Sequence, residues 1–338
     1  MKKLLVATRQ STLDSLMRPA DRERLEALAD VTWRTDIDQD VPEDVYAAAI
    51  RESDAEIVMT GWRSPLLTPE ILQANPQVRY LVNLTGELKR YVHRDCITQG
   101  LLVTNWGDVP AASVAEGTLM MTLASLRRSY YWQVQMHEKK EGWKDTDGPW
   151  VPQGLFDKTV GLYGFGRIAR EFAKMLKPFD VRILVLSSWI SDRDQVEYGV
   201  ELVNDLRELF EKSDIVSVHT GVRPDTLHSV NAEVLSAMKD GGHLINTARG
   251  KIIDEDALLA ELKKGRLFAA LDVYEKEPLP ADHPFRGLQN CHLFPHQGGP
   301  TDDYRWRCGA NAVDQVERYL RGEELKHRIT VKQYDRMT

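Results

Sequence analysis

The stretch TVGLYGFGRIAREFAKMLKPFDVRILVL, residues 159–186, decides how the rest of the chain is read. An apolar, β-rich run leads into Gly164, Gly166 and Ala169, a G-x-G-x-x-A pattern. Ala169, Phe172, Ala173 and Leu176 then recur at helical spacing, and VRILVL (181–186) follows as a second strand. Strand, glycine turn, helix and strand make a complete βαβ unit. The first glycine permits the tight turn and the second lets a ligand approach the backbone. The helix N-terminus then offers free N–H groups to a pyrophosphate. At the end of the second strand, where an acid would grip a ribose, stand Ser187 and Ser188. Serine removes the repulsion that excludes a 2′-phosphate, yet the next arginine, Arg193, is six residues on. The expected cofactor is therefore NAD or NADP, poorly discriminated, with NAD slightly ahead.

Outward from this unit the chain alternates. Short β-rich runs KLLVA (3–7), AEIVMTG (55–61), VRYLVNLTG (78–86) and LLVTNW (101–106) precede it. DIVSVH (214–219), HLINTA (243–248), FAALDV (268–273) and HLFP (292–295) follow it. Helical patterns lie between. Thr68 and Asn231 are N-cap candidates, the latter opening a helix that runs toward Gly241 and Gly242. DEDALLAELKKG starts acidic and ends basic before Gly265, matching the helix dipole. Such alternation predicts an α/β fold with parallel sheets covered on both faces.

Residues 113–136 form the longest helical pattern, residues 138–159 a polar arm, and residues 302–325 a last helix. We therefore expect two doubly wound domains with a cleft between them. One, flavodoxin-like and substrate-binding, uses residues 1–112 plus 300–338. The other, a Rossmann dinucleotide-binding domain, uses 113–299.

Composition narrows the class. Of 338 residues, 42% are hydrophobic and 28% charged, enough for real cores. The net charge of -7 argues against a nucleic-acid partner. Cys96, Cys291 and Cys308 show no metal or dithiol spacing and suit a reducing compartment. No signal-peptide or membrane-span pattern is present, so a cytoplasmic protein without a membrane partner or metal is expected.

Three strand ends carry residues suited to chemistry. Arg249 follows HLINTA, Asp272 and Glu277 follow FAAL, and His296 follows HLFP. In open α/β sheets ligands bind at the carboxyl ends of strands. A guanidinium can hold a carboxylate by two hydrogen bonds. A histidinium can donate a proton to a carbonyl oxygen as hydride reaches the carbon, and a carboxylate beside the ring orients it and stabilises its charge.

SVAEGTL (113–119), VGLYGFGRIAR (160–170), INTARGKIIDEDAL (245–258), LDVYEKEP (271–278) and PHQGG (295–299) occur in that order. With them the chain resembles the D-isomer-specific 2-hydroxyacid dehydrogenase family over nearly its full length. The resemblance implies that Arg249, Glu277 and His296 are the catalytic set and that Asp272 faces the nicotinamide amide. Gly164, Gly166, Arg167, Ile168, Ser187, Thr247, Asp272 and Gly299 are then the candidate cofactor-binding residues. It also implies a homodimer formed through the cofactor domains, with the long helix and the arm in its interface, and a 2-oxo or 2-hydroxy acid as substrate.

On the substrate side, Thr85 and Gly86 match the family's carboxylate loop in part, whereas Glu87 and Leu88 depart from it. Trp62 and Arg63 end another strand, and Trp106 and Trp306 are further candidates for the pocket wall. Three tryptophans would favour a substrate larger than glyoxylate, and Arg63 could bind a second anionic group. Thr220-Gly221 replaces the family's small apolar residue and proline, altering the adenosine-side wall. No regulatory domain is expected beyond the tail. The rival reading is a nucleotide-sensing, corepressor-like protein of the same fold. A formate dehydrogenase reading is weaker, because that branch has glutamine at the position of Glu277.

Overall fold

A computed structural model describes residues 1–139, 150–188 and 190–337. The chain divides into two compact units, Met1–Pro110 with Thr301–Thr338, and Ala111–Pro300.

The first unit holds a five-stranded parallel sheet: β1 (Lys3–Ala7), β2 (Asp30–Arg34), β3 (Ile57–Thr60), β4 (Tyr80–Asn83) and β5 (Leu102–Thr104). Their order, β2-β1-β3-β4-β5, is the flavodoxin-like one. β1 shows why its sequence is apolar throughout. Leu4 and Val6 enter one core cluster and Leu5 and Ala7 the other, so both faces are buried. The helix Asp302–Leu320 covers the Leu4 face with Cys308, Ala312, Val313 and Val316. Gly309 fits there because a Cβ would lie 2.0 Å from the carbonyl oxygen of Leu16.

The second unit holds seven parallel strands: β6 (Thr159–Tyr163), β7 (Arg182–Leu186), β8 (Val200–Leu202), β9 (Ile215–Val218), β10 (His243–Asn246), β11 (Phe268–Leu271) and β12 (Cys291–Leu293). The order β12-β11-β10-β9-β6-β7-β8 reverses direction between β6 and β9. That switch point is where such sheets bind ligands. The helix Arg167–Leu176 packs Ala169, Phe172, Ala173 and Leu176 onto one face. Thr68, Asn231 and Asp254 each cap a helix by accepting from a backbone N–H, worth about 1 kcal/mol apiece.

Several expectations are corrected. The pattern over 113–136 is not one helix. A helix runs Ala111–Leu126, Arg128 takes φ 55°, and a short helix (Ser129–Gln133) and a π turn (Val134–Glu138) follow. Neither Gly nor Pro announces this break; a buried Arg128 side chain accompanies it. The last long helix stops at Leu320, before Gly322 at φ 69°. The helix opened by Asn231 stops at Ala237, short of Gly241. Edge strands β2 and β8 carry no clear sequence signal because each has one strand neighbour and partly exposed residues. Of the expected arm, residues 140–149 lie outside the described residues. No helix among the described residues is long and apolar enough to cross a membrane.

Candidate active site

The second unit aligns its strand ends in one row. Leu293 pairs with Leu271, Leu271 with Asn246, Asn246 with Val218, Val218 with Tyr163, and Tyr163 with Leu186. The candidate residues of this unit leave that row within a few positions: Gly164 after β6, Ser187 after β7, Arg249 after β10, Asp272 and Glu277 after β11, and His296 after β12.

His296 is held at three points. Its Nδ1 lies 2.7 Å from Oε2 of Glu277, its backbone N–H donates to the Asp272 carbonyl at 3.0 Å, and its φ is 55°. A histidine with positive φ is uncommon and persists only where its surroundings enforce it. Glu277 is fixed in turn, its Oε1 accepting from the Tyr274 N–H at 3.0 Å. With Nδ1 committed, Nε2 has no partner among the described residues, and the side chain is 52% exposed. The ring therefore presents one nitrogen outward, with a carboxylate behind the other.

Asp272 is buried. Its two carboxylate oxygens accept from the N–H groups of Gln297 and Gly298 at 2.8 and 2.7 Å, fixing the loop after His296. Gly298 has no room for a side chain, since a Cβ would sit 2.8 Å from the Asp272 carboxylate. Gly299 has open space around the same position. Thr247 spends its hydroxyl on Thr118, 2.9 Å away. Arg249 is half-buried in the turn after β10 and donates from Nη1 to the Ala248 carbonyl at 2.7 Å. Gly250 presses against the backbone of Tyr274, tying this turn to the segment before Glu277.

The glycine turn fits a dinucleotide. Gly164 has φ 97°, and a Cβ there would come within 2.9 Å of the backbone of His219 and Thr220, at the switch point. Gly166 is the N-cap of the helix Arg167–Leu176 and has no side-chain cap. A Cβ on Gly166 would meet nothing within 4 Å. The space beside Gly166, just before the first turn of this helix, is thus unfilled, as close approach of a pyrophosphate to a helix N-terminus requires. Ser187 directly follows β7, and Arg193 is turned to solvent, with Glu197 as its carboxylate neighbour at 3.9 Å. His219 is half-buried, and desolvation pulls its pKa down to about 3, with Ser217 on Nε2 at 2.9 Å.

In the first unit, Trp62 and Trp106 meet edge to face at 6.5 Å, and the Arg305 guanidinium lies 5.2 Å over Trp62. Trp306 instead packs beneath Arg18. Gly86 lies against the Trp106 indole, which a Cβ would strike at 2.3 Å. Thr85 is buried, with both its N–H and its hydroxyl directed to Asn83 Oδ1. Arg63 pairs with Asp40 at 2.7 Å and Asp38 at 3.9 Å, so its charge is neutralised within this unit.

Other residues shape the site without a readable signal. Asn246 is buried, accepts from the Ala248 N–H and donates to the Arg249 carbonyl, which sets the arginine turn. Gly117 lets the helix Ala111–Leu126 approach Gly298, where a Cβ would be 3.3 Å from its Cα. Asparagine after a strand is a turn signal; this specific double bond is not. Among the described residues no group of three or more His, Cys, Asp or Glu is placed to hold a metal.

Residues 119–298 match the family model "D-isomer specific 2-hydroxyacid dehydrogenase, NAD binding domain". A glyoxylate reductase of Thermofilum pendens is 35% identical over 282 residues, covering 81% of this chain and 80% of that protein. A D-3-phosphoglycerate dehydrogenase of Methanocaldococcus jannaschii is 31% identical over 81% of this chain, which spans about half (51%) of that longer relative. Among solved structures, an NADPH-dependent glyoxylate/hydroxypyruvate reductase from Sinorhizobium meliloti, in complex with citrate, superposes with a TM-score of 0.76. It is 25% identical and is covered, like this chain, over 100% of its length.

Proposed function

Since the chain belongs to the D-isomer specific 2-hydroxyacid dehydrogenase family, we propose that it reduces a small 2-oxo acid to the D-2-hydroxy acid with NADH or NADPH, and catalyses the reverse reaction. The observation that carries this reading is the His296–Glu277 pair at 2.7 Å, set on the strand-end row that also bears the glycine turn and Arg249.

A bound nicotinamide supplies the hydride. The chain's own residues do the rest. The N-terminus of the helix Arg167–Leu176, with Gly164, Gly166, Arg167 and Ile168, holds the pyrophosphate, and Ser187 stands at the ribose. Thr247, Asp272 and Gly299 shape the nicotinamide end. Arg249 binds the substrate carboxylate and polarises the carbonyl. His296 delivers its proton from Nε2 to the carbonyl oxygen and takes it back in the oxidative direction. Glu277 keeps the other nitrogen protonated and stabilises the imidazolium. On the substrate side we assign Thr85 and Gly86 as the carboxylate loop, which their buried bonds make a rigid element. Trp62 contributes apolar surface, and Arg63 serves as a shaping residue. Discrimination between the two cofactors is weak, with NADH preferred slightly, because Ser187 neither repels nor binds a 2′-phosphate strongly. The assembly we assign is a homodimer.

The test is the oxidation of NADH, followed by absorbance, with glyoxylate, hydroxypyruvate and bulkier 2-oxo acids in parallel. Turnover is expected, and His296→Ala is expected to lower kcat about 10²–10⁴-fold, with cofactor affinity unchanged. Absence of turnover across the panel, with the cofactor bound, would favour a nucleotide-sensing role instead.

A further inference from the structure

The strands of the second unit also have an opposite end. Before β10 and β11 begin, a cavity of about 630 Å³ opens, lined by Arg128, Gln153, Asp240, Lys264, Arg266 and Phe268 among others. Its residues lie at or before the strand starts, whereas those of the candidate active site follow the strands.

Arg128 is 2% exposed. Its guanidinium lies 3.3 Å over the Phe268 ring, and Nη1 donates to the Ser125 carbonyl at 3.3 Å and meets His243 Nε2 at 3.0 Å. None of these neighbours bears a negative charge. His243 is neutral, since burial holds its pKa well below the ordinary value. Nε is buried without a partner, and Nη2 makes no hydrogen bond to a described residue. Burial pulls the Arg128 pKa down to about 10, and no carboxylate of a described residue raises it. The group is still a cation at neutral pH.

The other cations of the cavity differ. Lys264 and Arg266 share Glu261 at 2.8 and 2.5 Å, and Arg266 also reaches Asp240 at 3.4 Å. Among the described residues three cations thus face two carboxylates, and the positive surplus belongs to the most deeply buried member. A buried charge without a counter-charge is costly, and the arginine fork is shaped for carboxylate and phosphate oxygens.

We propose that this cavity is a binding site for a small oxyanion, a phosphate or carboxylate group, held by Arg128 with Lys264 at the mouth. The aromatic and aliphatic lining from Phe268 and Val151 leaves room for a short organic body behind the anionic group. This second site is independent of the redox reading above.

Calorimetric titration of the full chain with inorganic phosphate, and separately with succinate, at constant ionic strength tests it. Each titration is run with and without excess NADH. Saturable binding of one probe per chain is expected in both conditions, and the preferred probe identifies the head group. Lys264→Glu, an exposed change, is expected to weaken it about tenfold, the effect of about 1.4 kcal/mol. Arg128→Met is expected to abolish both the binding and the anion-dependent rise in unfolding temperature. Should Arg128→Met fail to fold, Lys264→Glu decides. No saturable heat from either probe would overturn the proposal. So would binding lost in excess NADH, or an affinity unchanged by Lys264→Glu.

Discussion

His296 and Asp272 show how much of the site rests on single residues. Asp272 accepts two backbone N–H groups, one on each carboxylate oxygen, and so fixes the loop that follows the histidine. In Asp272→Asn one of those N–H groups faces an NH₂. We expect a loss of about 1.5–3 kcal/mol of stability, together with a fall in kcat, measured by thermal unfolding and steady-state kinetics. Unchanged stability would show that the loop holds its own shape. Desolvated histidines give a pH signature. His219 and His292 are held neutral by desolvation, with pKa values down to about 3 and about 4 against 6.5 when exposed. Below about 6.5 the unfolded chain therefore binds protons that the folded chain refuses, and stability falls as pH falls. At about pH 5 each should cost up to about 2 kcal/mol. Histidine-to-phenylalanine replacement at either position should flatten that slope in denaturant titrations. That Arg249, Glu277 and His296 each follow a strand was legible from the sequence; that those strands are neighbours was not. The turning of Arg249 toward its neighbour's carbonyl, and the anchoring of Asn246, depend on atoms brought together only by the fold.

Among the elements, the glycine turn and its helix divide two roles between two glycines. Gly164 has φ 97° and no space, while Gly166 has an ordinary φ of −79° and open surroundings. Gly164→Ala should destabilise the chain by at least about 2 kcal/mol, through left-handed strain and collision with the backbone of His219. Gly166→Ala should leave unfolding almost unchanged yet weaken dinucleotide binding, because its new methyl enters the space before the helix N-terminus. Thermal unfolding and NADH titration of the two variants separate these effects; equal loss of stability in both would defeat the distinction. This βαβ unit was legible because turn chemistry and helical periodicity are local. The break at Arg128 was not, since what accompanies it is a side chain packed against Phe268, a residue distant in sequence. The edge strands β2 and β8 escaped for a related reason: half-exposed strands carry mixed residues that resemble loops.

Across the whole molecule, the alternation of apolar strands and helices made the α/β class and parallel sheets readable, because strands buried on both faces must be apolar throughout. Strand order was not readable, as it depends on crossovers between distant segments. The two units differ in how the chain builds them. Ala111–Pro300 is continuous and owns two core clusters. Expressed alone, it should unfold cooperatively and bind NADH. The segment 1–110 alone lacks the helix Asp302–Leu320, leaves the Leu4 face only partly covered and should not fold. Circular dichroism melts of both fragments check this, and a stable 1–110 fragment would contradict it.

The single register row across six strands has an evolutionary corollary. Because the proposed chemistry hangs from turns beyond Leu293, Leu271, Asn246, Val218, Tyr163 and Leu186, the interior can remain untouched while those turns vary. Laboratory libraries confined to these turns, with Gly164, Asp272 and Gly298 kept invariant, should yield mostly well-folded members and offer the shortest route to altered acid preference.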